Sequence, residues 1–238
     1  MSGVHGLHLA PNVALKQKRL TALLAGRDPE DLRLREAVGD AQVLGSLDLA
    51  GFSFTWEETK AGRRGEPAHP AIRGLQEARA AVDPRVPFSV AGLLAWHRAA
   101  LGGGGAFRTG ERSREDGPPP ALPDFIPGRL AILEQWLDSD SGRQLSPAAQ
   151  GALVLARLVE ILPFEDGNGR VSRLAASHLM VRAGLRPPIL VGGDRLRLEA
   201  CLKAAFRLET EPLAALLQEA SDRALDVMIQ TLETSGPA

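Results

Sequence analysis

Residues 162–173 contain the most chemically informative group of side chains in the sequence. Two glycines flank Asn168, so the backbone of this turn can adopt positive φ and direct successive N–H groups toward one point. Arg170 and Arg173 are three residues apart and would project from one side of the first turn of a following helix. Asp166 precedes the turn, where its carboxylate could share a hard cation with an anionic ligand. This combination predicts a site for a polyphosphate with Mg²⁺.

A second interpretation of the same segment is purely structural. A Gly-Asn-Gly sequence on its own is typical of a turn that begins a helix, and arginines just after it are typical of a solvated helix face. The combination of turn, arginines and carboxylate favours the phosphate site. The structural alternative stays open at this point.

The elements that would position these residues are two consecutive helices. Ser146 followed by Pro147 is typical of a helix start, because a Ser N-cap precedes a Pro at the first helical position. Residues 148–161 are apolar on nearly all sides, which predicts a buried helix that Pro163 ends. The spacing predicts a second, amphipathic helix over about 169–183.

Elsewhere the hydrophobic periodicity predicts further helices and no sheet. The predicted segments are 12–25, 28–38, 55–62, 69–82, 89–101, 124–137, 195–206 and 212–232. Thr55 and Glu58 have the spacing of a capping box, and residues 41–51 form a separate short apolar segment. Residues 102–120 are rich in glycine, charge and proline, which predicts an exposed irregular excursion or a short hairpin. The predicted fold class is all-α, a helical bundle with this one excursion.

Composition excludes several classes of function. The chain has 28 basic and 29 acidic residues, so no positive surplus exists to bind a phosphodiester backbone, and no nucleic-acid partner is predicted. Cys201 is the single cysteine, which excludes an intramolecular disulfide and a cysteine zinc cluster. The sequence has no apolar run long enough to cross a bilayer, and residues 1–11 lack signal-peptide features. We therefore predict no membrane partner and a cytoplasmic, bacterial-type intracellular location.

The segment described first resembles the signature of the Fic (Fido) domain family. That signature reads His-Pro-Phe-x-Asp/Glu-Gly-Asn-Gly-Arg-x-x-Arg and lies between two central helices. The positions that match in order and spacing are Pro163, Phe164, Asp166, Gly167, Asn168, Gly169, Arg170 and Arg173. The resemblance implies a mostly helical protein that binds ATP or a related nucleotide with Mg²⁺ and transfers AMP to a protein hydroxyl.

The resemblance also implies a role for each matching residue. Asp166 would hold Mg²⁺, while Arg170 and Arg173 would bind the phosphates. The turn of residues 167–169 would form the anion hole, and Phe164 would anchor the loop in the core.

Other segments resemble the family outside the signature. Residues 105–120 fall where the family has a β-hairpin flap that aligns the target chain as an extra strand. Ser46, Ala50 and Gly51 lie in a segment, about 42–60, that is similar to the family's inhibitory helix motif, Ser-x-x-x-Glu-Gly.

The likeness spans roughly residues 40–225 and implies a domain organisation. Residues 1–85 would form N-terminal helices that include the inhibitory-helix-like segment, and residues 86–238 would form the Fic core. Residues 96–98, Trp-His-Arg, also resemble the family. The two parts are predicted to be one continuous structural unit.

Two departures from the family pattern bear directly on activity. Leu162 occupies the position of the catalytic histidine, and a leucine has no group that can take the proton of a target hydroxyl. Loss of a general base predicts that AMP transfer is impaired by ~10²–10⁴-fold. Ala50 occupies the position of the inhibitory glutamate, which in the family pairs with the second arginine, here Arg173. A site that cannot transfer AMP does not need an inhibitory glutamate.

The remaining alternatives concern a substitute base and the function class. Glu165, His97 and His178 are the candidate bases, and each residue of this type is more often a packing or surface residue. Three function classes stay open. The chain could be a nucleotide-binding protein with impaired or altered nucleotidyl transfer, a non-catalytic nucleotide-sensing or protein-interaction pseudoenzyme, or a helical interaction module. Whether it is an enzyme stays open. The predicted partners are a nucleotide and a protein target or regulatory partner, with a homodimer left open.

Overall fold

The computed structural model describes residues 11–25, 32–115 and 117–234, which form helices joined by loops, without any strand. The α-helices are α1 Pro11–Leu23, α2 Leu32–Leu49, α3 Trp56–Arg63, α4 Pro70–Ala80, α5 Val90–Leu101, α6 Ile126–Asp138, α7 Asp140–Gln144, α8 Pro147–Ile161, α9 Asn168–Arg182, α10 Arg195–Ala205 and α11 Glu211–Thr234. The all-α prediction is confirmed for this part of the chain. The expectations for residues 1–10, and the predicted helix start at residue 28, lie outside the described residues. No described helix has the length and apolarity needed to cross a membrane.

Helices α8 and α9 stand between two hydrophobic cores. Leu158 of α8 packs with α5 and α6 in the first core, and Leu155 packs with α10 and α11 in the second. The predicted start of α8 is confirmed, because the Ser146 side chain accepts a hydrogen bond from the N–H of Ala149. Packing on both sides fixes the two helix ends between which residues 162–167 run.

The N-terminal helices share these cores. Ala78 of α4 belongs to the first core and Leu49 of α2 to the second. The division of the chain at residues 85 and 86 stays a prediction.

Helix α2 is one continuous helix, so the predicted end near residue 38 and the separate segment 41–51 were wrong. Asp40 is buried and bonded to the guanidinium of Arg63, with 3.0 Å between Nε and Oδ2, so it stabilises a helix interior rather than an end. Gly45 lies against the carbonyl of Leu190, where a Cβ atom would approach that oxygen to 2.0 Å. Tertiary contacts, which the local sequence does not reveal, therefore explain these turn-like residues.

The segment between α5 and α6 is irregular, and the β-hairpin flap is not present in its described residues. Consecutive prolines, Pro118–Pro120, have no N–H groups for a strand ladder, and Gly102, Gly104 and Gly105 all have positive φ. Arginine side chains hold the segment instead, since Arg114 donates to the carbonyl of Val159 in α8. The predicted irregular excursion is thus found without strand pairing.

Candidate functional site

The loop between α8 and α9 is held together by an asparagine side chain. Asn168 accepts a hydrogen bond from the N–H of Phe164 at 2.9 Å and donates one to the Phe164 carbonyl at 2.7 Å. The Phe164 ring is 1% exposed and stacks on His97 with 3.7 Å between centroids. The side chain of Asn168 is therefore used inside the loop, and only its backbone is left to face a ligand.

Helix α9 begins at the glycine turn with no side-chain cap. Gly167 is the N-cap residue, with φ 77°, and a Cβ atom on it would lie 2.8 Å from the side chain of Leu101. Glycine is therefore required here both for backbone conformation and for space. The first N–H groups of α9 have no side-chain acceptor at the cap, and the helix dipole gives this end partial positive charge. Such a helix end favours an anion.

Arg170 and Asp166 form an ion pair at the beginning of α9. Nη2 of Arg170 lies 2.8 Å from Oδ2 of Asp166, and Oδ1 of the same carboxylate accepts a hydrogen bond from the N–H of Gly167. Arg170 is buried and its guanidinium lies 5.9 Å from the ring centroid of Phe52, whereas the Asp166 side chain is 75% exposed. The arginine is thus held in place while the carboxylate remains accessible to a cation from solvent.

The donor set at Asp166 suits Mg²⁺ only in company with a ligand. Among the described residues no group of three or more His, Cys, Asp or Glu side chains could hold a metal ion unaided. Mg²⁺ commonly binds through one or two carboxylates, waters and the phosphates of a substrate. One exposed carboxylate beside a helix N-terminus without a side-chain cap fits that pattern.

Arg173 connects the site to helix α2. Its Nε donates to Oγ of Ser46 at 2.9 Å, and its Nη2 donates to the Ser46 carbonyl at 2.7 Å. Loss of solvent around the guanidinium, with smaller effects from Arg170 and Arg195, lowers the pKa of Arg173 to about 10. The side chain is still charged at neutral pH. The serine of the inhibitory-motif-like segment thus lies directly on the second arginine.

The end of helix α2 has no carboxylate at position 50, although Asp48 in its last turn is an exposed acid that lies against Gly192. Ala50 follows the last residue of the helix, is exposed, and donates its N–H to the Ser46 carbonyl at 3.2 Å. Gly51 comes next with φ 93° and turns the chain toward Phe52. The Ser46, Ala50 and Gly51 positions therefore lie together at the helix end, with a methyl group where the motif has a carboxylate.

Leu162 has an unusual backbone conformation. Its φ of 53° and ψ of 62° lie in the left-handed region, directly after α8. Its N–H donates to the Leu158 carbonyl at 3.0 Å, and its own carbonyl accepts from Nε of Arg108 at 2.7 Å. Hydrogen bonds on both sides hold a conformation that a leucine rarely adopts.

Two residues with structural roles in the site were missed by the sequence interpretation. His97 accepts a hydrogen bond at Nδ1 from the N–H of Gly105, and its Nε2 lies 3.0 Å from the Asp166 carbonyl, which assigns the proton to Nε2. Arg108 is 2% exposed and donates to the carbonyls of Leu162 and Gly110. It also donates to the carbonyl of Ala121, in the same segment between α5 and α6. The histidine was considered as a base and as part of the family-like segment 96–98, without this bridging role, and no local pattern marks the arginine.

The candidate substitute bases have other contacts. Glu165 is exposed and bonds to Nη2 of Arg112, an interaction that lowers the pKa of the glutamate. His178 is buried beside Trp96, with 5.2 Å between the ring centroids. His97 is engaged by Gly105 and the Asp166 carbonyl. Each of these three side chains therefore already has another contact in this structure.

Burial of His97 predicts a pH dependence of stability. Loss of solvent is the main cause that lowers the pKa of His97, and the same is true of His178. The unfolded chain therefore binds protons more readily than the folded chain, so we expect the melting temperature to fall as the pH is lowered from about 7.5 to about 5.5. A melting series across that range should show a smaller decrease for His97→Gln than for the unmodified chain. His69→Gln is the comparison at an exposed histidine; His69 caps α4 through the Ala71 N–H, so the change in melting temperature across the pH range is compared rather than its absolute value. An equal decrease in all three proteins would contradict this origin.

Sequence comparison identifies relatives of this chain. Residues 87–180 match the profile of the Fic/DOC family. The chain is 28% identical over 246 residues to the protein adenylyltransferase Fic of Drosophila melanogaster, a match that covers 91% of this chain and 49% of that protein. The chain therefore spans about half the length of the curated relatives it matches.

Solved structures show a similar fold. A Fic domain containing signaling protein from Bacteroides thetaiotaomicron superposes with a TM-score of 0.76 at 21% identity, over 95% of this chain and 100% of that one. The BepC protein of Bartonella tribocorum, solved with bound AMPPNP, superposes with a TM-score of 0.50 at 20% identity, over 72% of this chain and 89% of that one. These similarities show that the chain has the fold of these solved proteins, and the profile match locates its similarity to the Fic/DOC family at residues 87–180.

Proposed function

We propose that this chain binds a Mg²⁺–nucleotide of the ATP type at the start of α9, and that its nucleotidyl transfer is impaired or altered. The observation that carries the proposal is the position of Arg170 and Arg173 beside a helix N-terminus that no side chain caps. Relatives named protein adenylyltransferases and a structural neighbour that contains AMPPNP support the nucleotide assignment.

Each residue of the site has a distinct part in this proposal. The backbone N–H groups of the 167–169 turn and the forks of Arg170 and Arg173 would bind phosphate oxygens through charge-assisted hydrogen bonds. Asp166 would hold Mg²⁺, which when bound neutralises charge on the phosphates.

Leu162 determines which nucleophiles could react at such a site. A leucine side chain cannot accept a proton, so a protein hydroxyl would receive no help from a base at this position. A nucleophile that is already deprotonated, such as a phosphate or a carboxylate, needs no such base. The proposal therefore includes an altered transfer reaction as well as an impaired one.

Removing the second arginine should weaken nucleotide binding. We expect Arg173→Ala to raise the Kd for Mg²⁺–ATP by roughly 10- to 100-fold, because hydrogen bonds between a guanidinium and a phosphate are lost. Calorimetric titration well below the melting temperature measures the change. Asp166→Asn should instead lower the dependence of binding on Mg²⁺.

Matched variants separate a phosphate contact from a structural one. Ser46→Ala removes the side-chain partner of Arg173 and keeps the guanidinium, so we expect nucleotide affinity that is unchanged or higher. Arg129→Ala removes an exposed arginine of α6 and should leave the Kd unchanged. If Arg173→Ala and the unmodified chain bind Mg²⁺–ATP equally well, the phosphate site is refuted.

A nucleotide-sensing pseudoenzyme is a second candidate function, favoured by the contact between Arg173 and Ser46. A phosphate that takes hydrogen bonds from Arg173 competes with the serine for the same guanidinium. Nucleotide binding would then loosen the end of α2, which a protein partner could recognise. Hydrogen exchange of residues 42–50 with and without Mg²⁺–ATP tests this, and faster exchange in the presence of nucleotide is the expected result.

A further inference from the structure

A cavity of about 580 Å³ lies between helices α2, α4, α9 and α11. This volume is within the range of small-molecule sites. Neither Arg170 nor Arg173 lines it, although Gln42, Arg79 and Leu174 line both this cavity and the smaller pocket that contains those two arginines. Its walls include the apolar side chains of Val38, Val181 and Met228.

A buried histidine without hydrogen bonds lines this cavity. His178 is 1% exposed, and among the described residues neither ring nitrogen has a hydrogen-bond partner. The Val86 backbone lies near the ring without forming a hydrogen bond of acceptable geometry. Burial lowers the pKa of His178, so at neutral pH the imidazole has one donor and one acceptor nitrogen. Leaving both nitrogens unsatisfied costs free energy, which a bound polar group would recover.

The charged lining of the cavity is entirely basic. Arg35, Arg79 and Arg186 line it, and no Asp or Glu side chain does. Arg79 donates from Nε to the amide oxygen of Gln42 at 3.1 Å, and Arg186 donates from Nη2 to that of Gln17 at 2.6 Å.

These two arginines bond to amide oxygens rather than to carboxylates. Within the described residues, neither Arg79 nor Arg186 forms a salt bridge. Desolvation, as the main cause, lowers the pKa of each guanidinium. Asp40 near Arg79 and Asp222 near Arg186 partly oppose this effect, but neither carboxylate is bonded to the guanidinium. Each arginine can therefore still bond to an anionic ligand.

We propose that this cavity binds a small amphipathic carboxylate, with its hydrocarbon part against the apolar walls and its polar end at the arginines and His178. Apolar walls with a few convergent polar groups are the usual composition of a small-molecule site. The carboxylate supplies an acceptor for the N–H of His178, which has none among the described residues, and an anionic partner for Arg79, which bonds there only to neutral oxygens. This assignment does not depend on nucleotide binding at α9.

The experiment uses decanoate as the probe and 1-decanol as its neutral counterpart. Calorimetry should show saturable binding of decanoate, with affinity for 1-decanol at least about 10-fold lower because the charged contacts are missing. Ring ¹⁵N resonances of His178 should shift during the decanoate titration. Absence of saturable binding, or equal affinity for both probes, would overturn the proposal, leaving a water-filled cavity in the first case and a purely apolar one in the second.

Variants locate the bound probe. Arg79→Gln should weaken decanoate binding by roughly 10- to 100-fold, and Val181→Phe should abolish it by filling the cavity. Arg129→Gln, which changes an exposed arginine on α6, should have no effect. All variants are compared at matched folded fraction by circular dichroism. If Val181→Phe folds and still binds decanoate with full affinity, the probe lies elsewhere and the assignment fails.

The same titration on Arg173→Ala keeps this proposal separate from the proposed function. Decanoate binding should persist in that variant, even though nucleotide binding is expected to weaken. Loss of decanoate binding in folded Arg173→Ala would contradict two independent sites.

Discussion

Leu162→His should give the chain a protein-labelling activity ~10²–10⁴-fold above that of the unmodified protein, the usual contribution of a general base. The backbone at this position is left-handed, a conformation that histidine adopts more readily than leucine. The hydrogen bond from Arg108 to the carbonyl of residue 162 uses only backbone on that side, so it survives the substitution. Transfer of label from ATP marked on the α-phosphate to protein measures the activity.

Leu162→Asn is the matched control for this experiment. Asparagine also tolerates the left-handed backbone but provides no base, so its folding should match that of Leu162→His while its transfer stays at the level of the unmodified chain. If Leu162→His binds Mg²⁺–ATP and still labels no protein, a missing base is not what limits the reaction. Equal labelling by the unmodified chain would show that Leu162 does not prevent transfer.

Arg108→Met should cause the largest loss of stability among the substitutions considered for the loop region. The guanidinium is buried and donates to the carbonyls of Leu162, Gly110 and Ala121, so its removal leaves the buried Ala121 carbonyl without its side-chain donor and takes a donor from the two partly buried ones. We expect the free energy of unfolding to fall by about 3 kcal/mol or more. In a chain of this size that corresponds to a decrease in melting temperature of roughly 6–12 °C.

Two other arginine variants test the reason for this loss. Arg112 is exposed and pairs with Glu165, so Arg112→Met should change the unfolding free energy by less than about 1 kcal/mol. Arg108→Lys keeps the charge but cannot reproduce the planar set of donors. Its loss of unfolding free energy should therefore lie between those of Arg112→Met and Arg108→Met. Similar stabilities for Arg108→Met and Arg112→Met would show that the buried hydrogen bonds contribute little.

Features with a local cause could be predicted from the sequence. Ser146 accepts the hydrogen bond expected of an N-cap, and Thr55 and Glu58 form the expected capping box. In each case the signal lies within four residues of the element it starts, so tertiary structure is not needed to detect it. The grouping of Asp166 and Arg170 at the start of α9 has the same local origin.

Features that depend on distant partners could not be predicted. Gly45 looks like a helix breaker in the sequence, yet it lies inside α2 because the Leu190 carbonyl needs the space. Arg108 belongs to an irregular segment without periodicity, and its acceptors include the carbonyl of residue 162, distant in sequence. The composition of residues 102–120 left an irregular excursion and a short hairpin open, and family resemblance favoured the flap strands, whereas the described segment follows an irregular path held by arginines.

The position of Ala50 at the end of helix α2 affects the stability of the fold, independently of catalysis. Position 50 lies at the carbonyl end of the helix dipole, where a carboxylate is repelled by up to about 1 kcal/mol. A glutamate there would be tolerated mainly through attraction to a nearby cation, and Arg173 is already bonded to Ser46. Alanine adds no second carboxylate to a helix end that already carries Asp48. Fold stability alone therefore favours alanine over glutamate at position 50.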